Sequence, residues 1–142
     1  MLDMREMNRG VIEEFRANGG VLGGPLAGAP ILLLTTTGRR TGRAFTTPLG
    51  FVDDGGRLVV AAANGGADHD PDWFLNLCAE PAVQVEVPGA SVSAVATEVA
   101  GAERLRLLAV LAQTLPGLVD HLAATEREVP VVVVSERPAE RG

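Results

Sequence analysis

Two short glycine-bearing turns constrain the topology of this chain more than any other feature. Asp54-Gly55-Gly56 separates a stretch at 44–53 from another at 57–63, and Pro88-Gly89 separates 83–87 from 91–99. Gly-Gly and Pro-Gly at such positions reverse the chain between strands that then pair antiparallel. Parallel neighbours need a crossover of a dozen or more residues, so a doubly wound sheet is excluded. The apolar run 31–37 is linked to 44–53 by Gly38-Arg39-Arg40-Thr41-Gly42, another tight loop. Val83, Val85 and Val87 alternate with Gln84 and Glu86, which predicts a strand with one buried face. The alternation of 91–99 slips near Ala94 and Val95, which predicts a β-bulge. A last apolar run at 129–135 completes six strands.

Helical signals surround them. Met4, Met7, Val11 and Phe15 recur at helical spacing over 3–18, Asp3 can cap with Glu6, and Gly19-Gly20 stops the helix. Asp70 predicts an N-cap with Pro71 at the first position of a helix over 71–79. Residues 102–115 and 117–127 predict two more helices, parted at Pro116-Gly117, and 136–142 predicts a frayed tail. The expected fold is α+β: a six-stranded, mostly antiparallel barrel with an N-terminal helix and peripheral helices, one domain across residues 1–142.

Composition narrows the chemistry. A 46% hydrophobic and 21% charged chain excludes disorder. No apolar run approaches the roughly 18 residues of a membrane span, and the first helix carries Asp3, Arg5, Glu6, Arg9, Glu13, Glu14 and Arg16. A cytoplasmic protein is expected, with peripheral membrane contact through the N-terminal helix left open. One cysteine and two histidines predict neither a disulfide nor a metal site. Without lysine there is no Schiff-base chemistry and no ordinary P-loop. The glycines at 19, 20, 23, 24 and 28 follow no strand, so they form no dinucleotide fingerprint.

A net charge of −6 argues against nucleic-acid binding. The charge is uneven, however. Arg16, Arg39, Arg40 and Arg43 fall between Glu14 and Asp53 with no acidic residue among them. A positive spot in an acidic chain suits a small polyanion, because guanidinium forks match phosphate and carboxylate geometry. Ala61-Ala62-Ala63-Asn64-Gly65-Gly66 offers small residues at a strand end, where a flat ring can approach the backbone. Asp72-Trp73-Phe74-Leu75-Asn76 opens the short helix; Trp73 suits a core anchor, and Asn76 one turn on suits a pocket wall. Cys78 reads as a buried small side chain and His121 as a helix-surface residue. No nucleophile–base–acid triad is present, so no catalytic residue is assigned and a cofactor must supply the reactivity.

These residues carry a resemblance. Leu32-Leu33-Leu34-Thr35-Thr36-Thr37-Gly38-Arg39-Arg40-Thr41-Gly42, then Thr47-Pro48-Leu49, then Ala61-Ala62-Ala63-Asn64-Gly65-Gly66-Ala67-Asp68 resemble the deazaflavin-dependent nitroreductase family. Pro71-Asp72-Trp73-Phe74-Leu75-Asn76-Leu77, Glu80-Pro81 and Val129-Pro130-Val131-Val132-Val133 extend it over about residues 19–135. Members are split β-barrel proteins of actinobacteria, similar to FMN-binding split barrels, that bind the 8-hydroxy-5-deazaflavin coenzyme F420. Its phosphate, lactyl and oligoglutamate tail is the polyanion that the arginine loop lacked.

The resemblance implies that Arg39, Arg40 and Thr41 hold the phosphate and tail, with Arg43 as helper. Phe45, Thr46, Thr47, Pro48, Leu49 and Gly50 would lie along the coenzyme. The backbone of Ala61, Ala62, Ala63 and Asn64 would face its ring, and Asp72, Trp73, Phe74, Leu75 and Asn76 would line the remaining side. It further implies an oxidoreductase passing hydride from the reduced coenzyme to a quinone, nitro compound or activated enone. The alternatives are a carrier that binds coenzyme without turnover and an FMN-binding split-barrel oxidase. Many relatives have a basic residue at Phe45, a hydroxyl at Ala63 and a bulky side chain at Gly50 and Phe74. This chain has no tyrosine, so the tyrosine-lined pocket and phenolic proton donor of nitroimidazole-reducing members do not carry over. Bulk water is the expected proton source, with His69 a weak candidate donor. Oligomeric state stays open.

Overall fold

The computed structural model describes residues 4–115 and 117–136. Its sheet has seven strands: β1 (Ile31–Thr37), β2 (Ala44–Gly50), β3 (Val52–Asp54), β4 (Arg57–Ala61), β5 (Ala82–Val87), β6 (Ala90–Val99) and β7 (Val131–Glu136). Four helices accompany it: α1 (Met4–Ala17), α2 (Asp72–Ala79), α3 (Gly101–Thr114) and α4 (Leu118–Ala123). All pairings are antiparallel, in the order β2-β1-β5-β6-β7-β4-β3.

The expected six strands become seven because the stretch 44–53 breaks at Phe51. Up to Gly50 the chain pairs with β1, whereas Val52, Asp53 and Asp54 pair with β4. β2 and β3 are therefore the two opposite edges of the sheet, yet one residue separates them in sequence. Such a sheet must curl until its edges meet, which makes it a half-barrel. Phe51 forms the corner, its N–H donating to the Pro30 carbonyl at 3.0 Å.

Burial explains the two kinds of strand pattern. Leu32 and Leu34 point into the curl with Val60, Val83, Val85, Ala94, Ala96, Val132 and Val134, and α2 fills the interior with Trp73, Phe74 and Leu77. Leu33 faces outward beneath Phe15 of α1, while Val59, Val131 and Val133 face outward beneath Leu107 and Leu111 of α3. Strands buried on both faces read as continuous apolar runs; β5 and β6, with Gln84, Ser93 and Thr97 exposed on their outer face, alternate.

The hairpin reading holds at Asp54↔Arg57, where Gly55 and Gly56 take φ of 64° and 94°, as a mirror-image two-residue turn requires. Other expectations need correction. β6 keeps one register with β5 and β7, from Val83↔Ala94 to Ala94↔Glu136, so no bulge forms there. The apparent slip arises because Val95 points outward and stays exposed. Glu136 belongs to β7 and not to a tail; 137–142, like Asp3 and Pro116, lie outside the described residues. Asp70 does not cap α2, which starts at Asp72 behind Pro71 with no side-chain cap. Its carboxylate is taken instead by Arg127, 2.8 Å away. α4 ends at Ala123, four residues short of the expected 127, and the segment beyond it carries that arginine back to the sheet.

Candidate active site

The loop between β1 and β2 is held shut by its own backbone. Gly38 N–H donates to the Arg43 carbonyl at 2.7 Å, Gly42 N–H to the Gly38 carbonyl at 2.9 Å, and Arg43 N–H to the Thr41 hydroxyl at 3.3 Å. Phe45 folds back so closely that a Cβ on Gly38 would stand 2.6 Å from its ring.

Arg39 is braced against α2. Its Nη1 donates to the Asn76 side-chain oxygen at 2.7 Å and its backbone N–H donates to the same atom at 3.2 Å. Its Nη2 donates to Asp72 at 3.2 Å. Asn76 is buried and passes its own amide N–H to the Thr36 hydroxyl at 3.3 Å. Arg40 and Arg43 are exposed and make no ion pair among the described residues. A fixed fork thus stands beside cations whose charge the fold leaves uncompensated.

The loop forms one end of a cleft of about 1260 Å³. Arg39, Arg40 and Thr41 line it together with all six residues from Phe45 to Gly50. Ala61, Ala63, Asn64 and Gly65 form its small-residue floor, and Asp72, Trp73 and Asn76 complete the α2 side. Five predicted site residues lie off this lining. Arg43 closes the loop through its backbone, and Ala62 is fully buried. Phe74 packs in the core edge-on to Trp73, ring centroids 6.3 Å apart. Leu75 is part-exposed on α2, and His69 is 73% exposed with Nδ1 3.1 Å from the Asp68 carboxylate. That contact holds the Asp68 carboxyl below its usual range. Cys78 is exposed, not buried, because it falls on the outer face of α2.

Two walls were missed. α1 presents Arg5, Asn8, Arg9, Ile12 and Arg16 to the cleft, a helical face beside the apolar one that seats it on the sheet. The recurrence of polar residues at 5, 8, 9 and 16 was the available signal. Arg16 is fixed by a bidentate pair with Glu86 on β5, at 3.0 and 2.8 Å, whose hydrogen bonds raise the guanidinium pKa further. Leu115, Leu118 and His121 form a second such wall, Leu115 packing against Gly50 of β2.

Arg127 was missed as well. Its Nε donates to the Ala67 carbonyl at 2.9 Å, Nη2 to the carbonyls of Ala62 and Ala63 at 2.9 Å each, and Nη1 to Asp70 at 2.8 Å. One guanidinium, its side chain 15% exposed, ties down the cleft floor and the loop after it. Nothing in a lone loop arginine distinguishes this role in sequence.

Arginines of the β1–β2 loop and a floor of small residues line one cleft, an arrangement that can take an anionic group together with a flat ring. The donor set fits a deazaflavin with an acidic tail, since its guanidinium and hydroxyl groups match phosphate and carboxylate while alanine and glycine leave room for a ring. Residues 6–136 match the model of the F420H(2)-dependent quinone reductase family, and the chain belongs to that family. It is an F420H2-dependent oxidoreductase, and coenzyme F420 is its cofactor. An F420H(2)-dependent quinone reductase of Mycobacterium tuberculosis is 32% identical over 127 residues, 87% of this chain and 85% of that protein. The solved structure of an F420-H2 dependent reductase superposes with a TM-score of 0.69 at 31% identity, covering 75% of this chain and 94% of that one. A solved domain-swapped dimer superposes at 0.72 with 29% identity, covering 89% and 96%. No helix among the described residues is long and apolar enough to cross a membrane.

Proposed function

We propose that this protein is a cytoplasmic quinone reductase whose curled sheet is the family's split barrel, with the coenzyme tail at the arginine loop and its ring over residues 61–64. The reduced coenzyme supplies hydride from C5 of the deazaflavin. In this reading Arg39, Arg40 and Thr41 grip the phosphate and tail, with Arg43 attracting the tail from outside the cleft. Asn76 and Asp72 hold Arg39 in place before the coenzyme arrives, which lowers the ordering cost of binding. Ala61, Ala63 and Gly65 set the ring plane by their backbone, and Arg127 fixes that backbone from behind. Leu49, Gly50, Leu115 and Leu118 give the acceptor an apolar slot that excludes water and favours a flat quinone stacked on the ring.

The observation that carries this reading is the sharing of one cleft by Arg39, Arg40 and the Ala61, Ala63 and Gly65 floor. Equilibrium titration tests it. Coenzyme F420 should bind more weakly as salt rises or as its glutamate tail is shortened, and FMN should bind poorly. Stopped-flow mixing of the reduced coenzyme with the protein and a naphthoquinone should show rapid oxidation. Equal affinity for FMN and F420 at every salt concentration contradicts the tail site, and binding without oxidation by any acceptor favours the carrier.

A further inference from the structure

Hydride addition to a quinone leaves an oxyanion, and that anion needs a proton. Among the described residues lining the cleft, Asp72 brings the one carboxyl and His121 the one imidazole; the others are arginine, hydroxyl, amide or apolar. Asp72 is the counter-ion of Arg39. His121 makes no ion pair among the described residues and lines the cleft with Leu115 and Leu118. Its place there is built into the backbone. The turn Asn64–Gly66 supports α4 so closely that a Cβ on Gly66 would stand 3.0 Å from the His121 carbonyl and 3.5 Å from its Cα. Gly66 also holds φ of +86°, so the seat under α4 requires glycine. His69 lies outside this lining.

We propose that His121 is the proton donor to the reduced acceptor, an assignment that rests on the quinone reductase reading above. The C5–H bond of the coenzyme breaks and its electron pair makes an O–H bond at one quinone oxygen, so the coenzyme is oxidised and the quinone reduced. The other oxygen becomes an anion. A ring N–H of the His121 imidazolium then breaks as an O–H bond forms at that oxygen, giving the neutral hydroquinone. Imidazole regains a proton from water, and the ring proton released by coenzyme oxidation goes to water. Histidine suits this step because it gains and loses a proton between about pH 5 and 8. The charged residues that line the same cleft are Arg5, Arg9 and Arg16 from α1, Arg39 and Arg40 from the loop, and Asp72 from α2, and Asp120 precedes His121 on its own helix. The Asn64–Gly66 turn beneath it carries none.

The test compares the full chain with His121→Gln and, as control, His69→Gln. The probe is 2-hydroxy-1,4-naphthoquinone, a stable quinone oxyanion, titrated into protein holding oxidised F420 across about pH 5.5–8.5. Its affinity should fall about tenfold with rising pH in the parent and in His69→Gln, and stay flat in His121→Gln. Turnover with a neutral naphthoquinone should fall about 10²-fold in His121→Gln with F420 affinity unchanged. Parent-like pH dependence and turnover in His121→Gln overturn the assignment while leaving the reductase reading intact. A parent protein that binds F420 yet reduces no quinone overturns that reading, and the assignment with it.

Discussion

Arg39 and Asn76 meet through one atom: the Asn76 side-chain oxygen accepts both the Arg39 guanidinium at 2.7 Å and the Arg39 backbone N–H at 3.2 Å. A buried amide thereby fixes the side chain and the backbone of the loop's first arginine at once. Asn76→Ala should leave the Thr36 hydroxyl and both Arg39 donors short of a partner, costing about 1–3 kcal/mol of stability. Coenzyme affinity should drop with it, although Asn76 need not touch the ligand. Urea denaturation and fluorescence titration of F420 measure the two effects, and a variant losing neither would disconnect Asn76 from the loop.

Arg39 and Arg40 should separate under mutation. Loss of one charge-assisted partner weakens binding by roughly 1.5–3 kcal/mol, so either alanine variant should raise the F420 dissociation constant about ten- to hundredfold. Arg40→Ala should do so at unchanged stability, because no ion pair is lost from the described residues. Arg39→Ala should lower stability as well, since it strips Asn76 and Asp72 of their partner.

Arg127→Ala should destabilise strongly. It removes four hydrogen bonds and takes the guanidinium donor from the carbonyls of Ala62 and Ala67 and from the Asp70 carboxylate, while the Ala63 carbonyl keeps the Gly66 N–H. A loss of about 3–5 kcal/mol is expected from breaking a largely buried pair. Arg127→Lys should recover only part of it, because one ammonium cannot span three carbonyls and a carboxylate in the fork's geometry. Chemical denaturation of the two variants beside the parent gives the order.

Asp54 should report in acid. Hydrogen bonds from Arg106, and next from Arg57, hold its carboxyl at about 2, against an ordinary 3.8. A carboxyl depressed by folding stabilises the native state above its unfolded value and loses that contribution as pH falls toward its folded one. Asp54→Asn should therefore be less stable than the parent at neutral pH, and the difference should shrink between about pH 4 and pH 2. Denaturation midpoints across that window check the sign. A gap that stays constant would assign the loss to packing.

Much of this architecture was readable because local chemistry and tertiary structure agree. Gly55-Gly56 turns where two positive φ angles are needed, and the runs around Leu33 and Val132 are apolar on both faces because helices cover one and the curl the other. Phe51 defeated that reading: apolar character continues through it, and only the change of pairing partner reveals the corner. The arginine loop was legible by charge density, yet not the bracing of Arg39, since Asn76 lies 37 residues away. Likewise His121 is exposed on α4, as its helical position implies, and only the fold shows that it also lines the cleft. Arg127 reads as a solvated charge until four oxygens converge on it.

β7 lies between β6 and β4, although it is the last strand of the described chain to leave the ribosome. Until residues 131–136 emerge, β4 and β6 each expose an unpaired edge of backbone N–H and carbonyl groups, and Val59 on the outer face and Val60 on the inner one lack their neighbours. The half-barrel cannot close before synthesis of that segment is complete. During that interval nascent chains hold two open edges suited to pairing with one another, a hazard that ends when the valine run Val131-Val132-Val133-Val134 inserts. Assembly of this enzyme thus waits on β7, far in sequence from the arginine loop.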